Sequence, residues 1–159
     1  ITTGTSSAMR LITAQEFVDL INLRMPDQIK RALLPNYMVG MFSFGQDLPF
    51  VIFKTSSFEN TYAGMIEWEP YLEKDFTVLF RLNTGNGENT LASSLTPTAA
   101  HKFEDGVIVN NDVRLLRGTD GKINFVYGIL NKDTIVITVN DVSFKELVTR
   151  LNKEKSLKR

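Results

Sequence analysis

The segment FEDGVIVNNDVRLLRGTDGKINFVYGILNKDTIVITV, residues 103–139, sets the fold class of this chain. It holds short apolar runs separated by clusters of Asn, Asp and Gly, which are the residues that turns favour. In the last run, the apolar residues Ile135, Ile137 and Val139 occupy every second position and alternate with Thr138, as expected for one face of a strand. The segment therefore predicts a β-meander with strands at 107–109, 113–116, 123–130 and 135–139.

Upstream of the meander, a pair of runs predicts a β-hairpin. Residues 37–44 and 50–55 are apolar and rich in strand-forming types, and 45–49 (Gly-Gln-Asp-Leu-Pro) form a turn-like separator. Neither run alternates cleanly, which is typical of strands covered on both faces, so we expect the hairpin to lie centrally in the sheet. Gly40, inside the first run, predicts a bulge or the close approach of another element.

Helix starts are indicated by Ser/Thr-x-x-Glu patterns beginning at Thr13, Ser56 and Ser143. Each is typical of a capping box, in which the hydroxyl and the carboxylate satisfy backbone N–H groups of the first turn. Together with the apolar spacing, they predict helices near 14–34, 57–80 and 143–152, the first with a restart at Pro26. Pro70 predicts an interruption at Glu69, since proline removes a helical hydrogen bond. Alternatively, residues 76–82 form a strand and not the end of this helix, since their composition is typical of strands.

These elements predict a single α+β domain over residues 13–152. We expect a mainly antiparallel sheet of about five strands, made of the hairpin 37–55 and the meander 107–139, with N- and C-terminal helices on opposite faces. Residues 1–12 are interpreted as a linker or first strand, 83–101 as a flexible loop and 153–159 as a basic tail.

Composition argues against several classes of function. The chain of 159 residues carries 18 basic and 18 acidic side chains, so no net field favours nucleic acid or an anionic membrane. It has no cysteine, which excludes disulfides, zinc–cysteine sites, iron–sulfur clusters and thiol catalysis. With His101 as its single histidine, neither an imidazole metal site nor a catalytic triad is indicated. We therefore expect no cofactor and no metal.

One acidic cluster surrounds aromatic residues. Glu67, Glu69 and Asp75 lie close in sequence to Trp68 and Tyr71. Paired carboxylates beside an aromatic platform would suit a glycosidase. The alternative is a solvated helix face with a half-buried tryptophan at the proline, and we favour it. Trp68, Glu67, Glu69 and Tyr71 are thus the candidate binding surface.

A second polar group, Asp105 with Asn110, Asn111 and Asp112, offers oxygen ligands of the kind that calcium prefers. Asn and Asp are also the residues that tight turns use, because they tolerate left-handed backbone. The turn is the favoured interpretation of this group.

The segment FVIFKTSSFENTYAGMIEWE, residues 50–69, resembles a block in uncharacterised single-span envelope proteins of small-genome, uncultured bacteria. In that family an aromatic strand leads into a helix that ends in Ala-Gly-Met-x-x-Trp-Glu. Residues 103–114, Tyr127-Gly128, 134–138 and 13–34 are similar to other parts of the same proteins. The resemblance implies an extracytoplasmic domain, joined through residues 1–8 to a membrane anchor, and it implies no catalytic residues.

Taken together, these features favour a non-enzymatic, extracytoplasmic domain of a membrane-anchored protein. Such a domain would bind a protein partner or assemble into an envelope or surface apparatus. The alternatives are a cell-wall glycan hydrolase using Glu67, Glu69 or Asp75, and a ligand-sensing domain with a pocket beneath Trp68. A cytoplasmic location is the alternative to the envelope.

Overall fold

The computed structural model describes residues 10–83 and 102–158. Within them the chain forms helices and strands in the order α1 (Ala14–Leu20), α2 (Asp27–Ala32), β1 (Leu33–Ser43), β2 (Asp47–Thr55), α3 (Phe58–Asn83), β3 (Glu104–Ile108), β4 (Asn111–Arg117), β5 (Ile123–Leu130), β6 (Thr134–Thr138) and α4 (Asp141–Leu157). The expected loop 83–101 lies outside the described residues, apart from Asn83, and so does His101.

All strands belong to one antiparallel sheet of order β1-β2-β6-β5-β4-β3. The meander over residues 103–139 is confirmed as β3 to β6, and the predicted hairpin is confirmed as β1 and β2. The hairpin joins the meander where β2 pairs with β6. The predicted α+β class is confirmed, and the six strands observed are close to the expected number.

The position of the hairpin differs from the expectation. β2 lies between β1 and β6 and is buried along most of its length, as predicted for a central strand. β1, in contrast, is an edge strand that pairs with β2 alone among the described elements, and most of its residues are exposed. Its apolar composition therefore does not reflect burial by the described residues.

Gly40 permits a close approach, as the sequence predicted. A methyl group at this position would collide with the ring of Phe50 on the neighbouring strand. The ring of Phe50 also stacks on Phe42 at 4.8 Å between centroids. The missing side chain therefore lets β2 fold an aromatic ring over the edge strand.

Helix α3 runs without interruption from Phe58 to Asn83, so the predicted boundary at Glu69 is wrong. Pro70 lies on the exposed side of the helix, as does Ile66, whose carbonyl loses its helical partner. Water can bind that carbonyl. Trp68 and Leu72 are fully buried on the opposite side, so core packing holds the helix together on both sides of the proline.

Only the first of the three capping boxes is present as predicted. Thr13 accepts a hydrogen bond from the backbone N–H of Glu16, whose carboxylate accepts from the N–H of Thr13. Ser56 instead donates its hydroxyl hydrogen bond to the carbonyl of Ala32, and Ser57 lies at the start of α3.

The third box is displaced by three residues. Asn140 is the N-cap of α4 and accepts from the backbone N–H of Ser143 at 2.9 Å. Ser143 is buried in the first turn, where its hydroxyl pairs with that of Thr138. The helix also continues to Leu157, so most of the predicted basic tail forms its last turns.

The helices cover opposite faces of the sheet, as expected. Phe125 of β5 contacts Phe76 of α3, with ring centroids 6.0 Å apart. Gly128 of the same strand faces the other way, towards Phe144 of α4. The ring of Phe17 in α1 stacks on that of Tyr37 in β1. Paired residues on neighbouring strands point to the same face, and the pairs lead from Tyr37 to Ile129 of β5, through Phe53 and Ile135. Ile129 points to the same side of β5 as Phe125, so α1 lies on the α3 face.

Candidate functional site

Trp68 lies in the core, and none of it is exposed. Its ring lies 5.7 Å from that of Phe76, and its Nε1 donates a hydrogen bond of 2.8 Å to Oδ2 of Asp75. The prediction that Trp68 is half-buried is therefore wrong. A fully buried ring has no face to stack on a sugar, so Trp68 belongs to the core and not to the candidate surface.

Asp75 holds the segment before α2 against α3. Its side chain is 4% exposed and accepts from Nε of Arg24 at 2.7 Å and from the backbone N–H of Arg24 at 2.8 Å. The guanidinium of Arg24 also lies over the ring of Tyr71, 4.6 Å from its centroid. Tyr71 remains 47% exposed. The carboxylate is thus occupied by a structural ion pair and by the indole of Trp68.

Glu69 points towards the sheet. Its carboxylate accepts two hydrogen bonds from Arg114 of β4, at 2.7 and 2.9 Å, and one from the hydroxyl of Tyr127 of β5 at 2.8 Å. Arg114 also donates to Asp105 at 2.8 Å and to the carbonyl of Phe103. This geometry is the bidentate pairing that makes arginine–carboxylate contacts strong.

The pKa values of Tyr127 and Arg114 follow from burial and from the hydrogen bonds to Glu69. Burial of the Tyr127 phenol, together with its hydrogen bond to Glu69, raises the pKa of Tyr127 well above its usual value. The hydrogen bonds to Glu69 likewise raise the pKa of Arg114. At neutral pH, Tyr127 is therefore a neutral donor and Arg114 a permanent cation, and neither is poised to exchange protons.

Glu67 is exposed and accepts from Nε2 of Gln28 in α2 at 2.6 Å. The three carboxylates considered for the hydrolase therefore contact three different parts of the molecule: Glu67 contacts α2, Glu69 contacts β4 and β5, and Asp75 contacts Arg24. Each already binds a donor from the chain itself.

A groove opens between the first turns of α3 and the far end of the sheet. It encloses about 630 Å³, and its lining includes Phe58, Tyr62, Arg114, Tyr127 and Lys132. Phe58 and Tyr62 stack with their centroids 6.0 Å apart, and Tyr62 is 51% exposed. Trp68 is not part of this lining, so the groove is not the pocket beneath Trp68 that the sequence suggested.

The polar group at 105–112 borders the same groove, and its asparagines form and stabilise the β3–β4 turn. Val109 and Asn110 both have positive φ, and the side-chain amide of Asn111 donates to the carbonyl of Val109 at 2.7 Å. Asp105 is paired with Arg114. In residues 10–83 and 102–158, no three acidic, histidine or cysteine side chains lie where they could hold a metal ion together.

The outer side of β1 is the other notable surface, here called the β1 edge and defined by residues 33–44. No charged residue occurs in it. Its exposed apolar side chains are Leu34, Met38, Val39, Met41 and Phe44. The opposite edge of the sheet, β3, carries Glu104 and Asp105. The two edges thus differ in charge as well as in length.

Sequence reasoning did not single out Arg114, Tyr127 or the β1 edge. An arginine between the apolar residues Val113 and Leu115 is also what a strand with one solvated face shows, so no signal in the sequence marks the first. The β1 edge gave no signal, because strand order cannot be inferred from apolar content alone.

Comparison with known proteins adds no relative: no protein-family model, curated protein or solved structure matches the chain. Among the helices of the described residues, none is long and apolar enough to cross a membrane.

Proposed function

We propose that this domain is a non-enzymatic protein-binding module and that the β1 edge is its binding element. The observation that carries the proposal is the edge strand itself, 11 residues long, uncharged and lined by exposed Met38, Val39 and Met41. An extended partner segment would add a strand to the sheet there.

The physical argument concerns unpaired backbone groups. An edge strand presents N–H and C=O groups that can pair with another chain, and soluble proteins usually protect such edges with charges, proline or short length. The β3 edge has this protection, since it has five residues and carries Glu104 and Asp105. On β1 such protection is confined to the start of the strand, where Pro35 and the irregular pairing between Leu33 and Tyr37 lie. Strand addition uses this kind of edge, with backbone hydrogen bonds supplying affinity and alternate side chains supplying specificity.

The proposal includes a location outside the cytoplasmic membrane, in the cell envelope, where the domain would bind a protein partner or assemble into a surface apparatus. The resemblance of residues 50–69, 103–114 and 134–138 to uncharacterised envelope proteins supports it. The zero net charge fits a partner recognised by strand pairing and apolar contact better than by charge. A topology reporter fused to the full-length gene product would test the location.

The binding element can be tested without knowing the natural partner. A random-peptide display library is panned against the dilute domain, and selected peptides are measured against Met41→Lys and against Val107→Lys as the matched control. Val107 is 68% exposed on the opposite edge. We expect the selected peptides to carry apolar residues at alternate positions. They should bind the Val107→Lys variant and fail to bind the Met41→Lys variant. Peptides that bind both variants equally, or no binders, would contradict the proposal.

A second candidate function is ligand binding in the groove beside Phe58 and Tyr62. Its volume of about 630 Å³ lies within the range of small-molecule sites. A fragment screen followed by NMR tests it: fragments that shift the signals of Tyr62 and Arg114, and that are lost in Tyr62→Ala, would support this function. Fragments that shift neither residue would count against it.

A further inference from the structure

The part of β1 that pairs regularly with β2 is centred on Gly40. The pairing has an irregularity between Leu33 and Tyr37, and from Tyr37 to Ser43 every residue has a partner on β2. This regular segment has Gly40 as its midpoint. A strand of this kind can pair with a second copy of itself over its full regular length, if the two run antiparallel with a two-fold axis at Gly40.

We infer that the β1 edge binds a second copy of this chain, so that two sheets join into one continuous sheet through antiparallel β1–β1 pairing centred on Gly40. This inference rests on the proposed function and names the occupant of the same edge. Pro35 lies before the paired segment, where its missing N–H costs the pairing nothing.

Charge favours a second copy as the occupant. Uncharged strands in this sheet are β1, β5 and β6, and the last two lie in its interior. β1 thus has the composition of an interior strand, and pairing with another β1 gives it an interior position. The β1–β1 pairing sets no like charges opposite each other, because β1 carries none.

The register follows from side-chain direction. Residues that pair across two strands point to the same face of the sheet. The two-fold axis between the two β1 strands therefore lies level with one residue, which pairs with its own copy, and not level with the bond between two successive residues. With the axis at Gly40, Val39 lies opposite Met41 of the second copy, and both of these side chains are exposed on the α3 face in the single chain. On the α4 face, Met38 lies opposite Phe42 of the second copy. Gly40 itself adds no side chain at the axis, where the ring of Phe50 lies over the strand.

Disulfide trapping tests both the pairing and its register. The chain has no cysteine, so Val39→Cys and Met41→Cys each introduce its single thiol. The two variants are mixed, with one ¹⁵N-labelled so that each dimer has its own mass, and are oxidised under mild conditions. Val107→Cys on the β3 edge is the control. Directly opposite residues on paired strands lie about 5 Å apart at Cβ, while diagonal residues lie about 7–8 Å apart.

We expect the mixed Val39→Cys–Met41→Cys dimer to exceed its statistical share, and to form several-fold faster than the Val107→Cys dimer. If the main product were instead a dimer of two Val39→Cys chains or of two Met41→Cys chains, the register at Gly40 would be wrong. Trapping no faster than in the control would overturn self-pairing altogether. If selected peptides still bound the β1 edge in that case, the proposed function would stand and only the second copy would be wrong as its occupant; if they did not, both would be wrong.

Discussion

Glu69 of α3 and Arg114 of β4 lie 45 residues apart in sequence and are joined by two hydrogen bonds, of 2.7 and 2.9 Å. Their side chains are 14% and 20% exposed, so water screens the pair only in part. With Tyr127 as a third member, this contact fixes the middle of the long helix on the sheet. The carboxylate that resembled a catalytic acid in the sequence thus has a structural role.

Replacing Glu69 by Gln should destabilise the domain. The change removes the negative charge that pairs with Arg114 and leaves a largely buried cation whose remaining counter-ion, among the described residues, is the exposed Asp105. We expect a loss of about 2 kcal/mol in the free energy of unfolding, below the range for fully buried pairs because this one is partly solvated. Urea denaturation measures it. Glu67→Gln, on the exposed side of the same helix, is the control and should be nearly neutral; equal effects of the two changes would contradict the assignment.

Val109→Asn should stabilise the domain. Val109 adopts φ of 49° in the β3–β4 turn, a left-handed conformation that a β-branched residue disfavours. Asn tolerates it, so we expect a gain of about 1 kcal/mol in the free energy of unfolding. The denaturant midpoint should rise. Val107→Asn, two residues earlier in extended backbone, is the control and should bring no gain; a rise of the same size in both variants would rule out turn strain as the cause.

Asn140→Ala should destabilise α4. The side chain of Asn140 accepts from the backbone N–H of Ser143, and its loss leaves that donor without a partner. We expect a cost of about 1 kcal/mol in thermal or urea unfolding. Asn140→Asp keeps an acceptor at the N-cap and should restore most of the stability. If Asn140→Ala leaves the unfolding midpoint unchanged, Asn140 is not the cap.

Glu16 should titrate far below an ordinary glutamate. Hydrogen bonds from Arg10 and from the backbone N–H of Thr13 lower the pKa of Glu16 from 4.5 to about 2. Any stability that these contacts give the folded state is therefore present above pH 4.5 and is lost as the pH falls towards 2. NMR titration of the carboxyl carbon measures the midpoint. In Arg10→Gln it should move up towards 4.5; an unchanged midpoint would mean that Arg10 does not bind Glu16.

Much of the fold could be predicted because it is local. The meander is marked by apolar runs between Asn- and Asp-containing turns, and the capping box of Thr13 lies within four residues of sequence. Helix caps were less certain, because a Ser-x-x-Glu pattern also fits inside a first turn. Ser143 is such a case, with Asn140 as the true cap.

The long-range features could not be predicted. Whether Glu69 faces water or Arg114 depends on how α3 lies across the sheet, and no local pattern records that. Pro70 was expected to break a helix that the burial of Trp68 and Leu72 keeps intact. The apolar composition of β1 indicated a central strand, whereas β1 is an edge strand. That same contrast between composition and position carries the proposal of a binding edge.

Amide hydrogen exchange along β1 tests the central claim most directly. Exchange is measured in dilute protein, in concentrated protein and with a saturating selected peptide, and β3 is the internal reference. Alternate amides within 37–43 should exchange readily in dilute protein and become protected in concentrated protein or with peptide, while amides of 104–108 stay unchanged. Exchange rates at 37–43 that are the same in all three samples would contradict the claim that the β1 edge is the binding element.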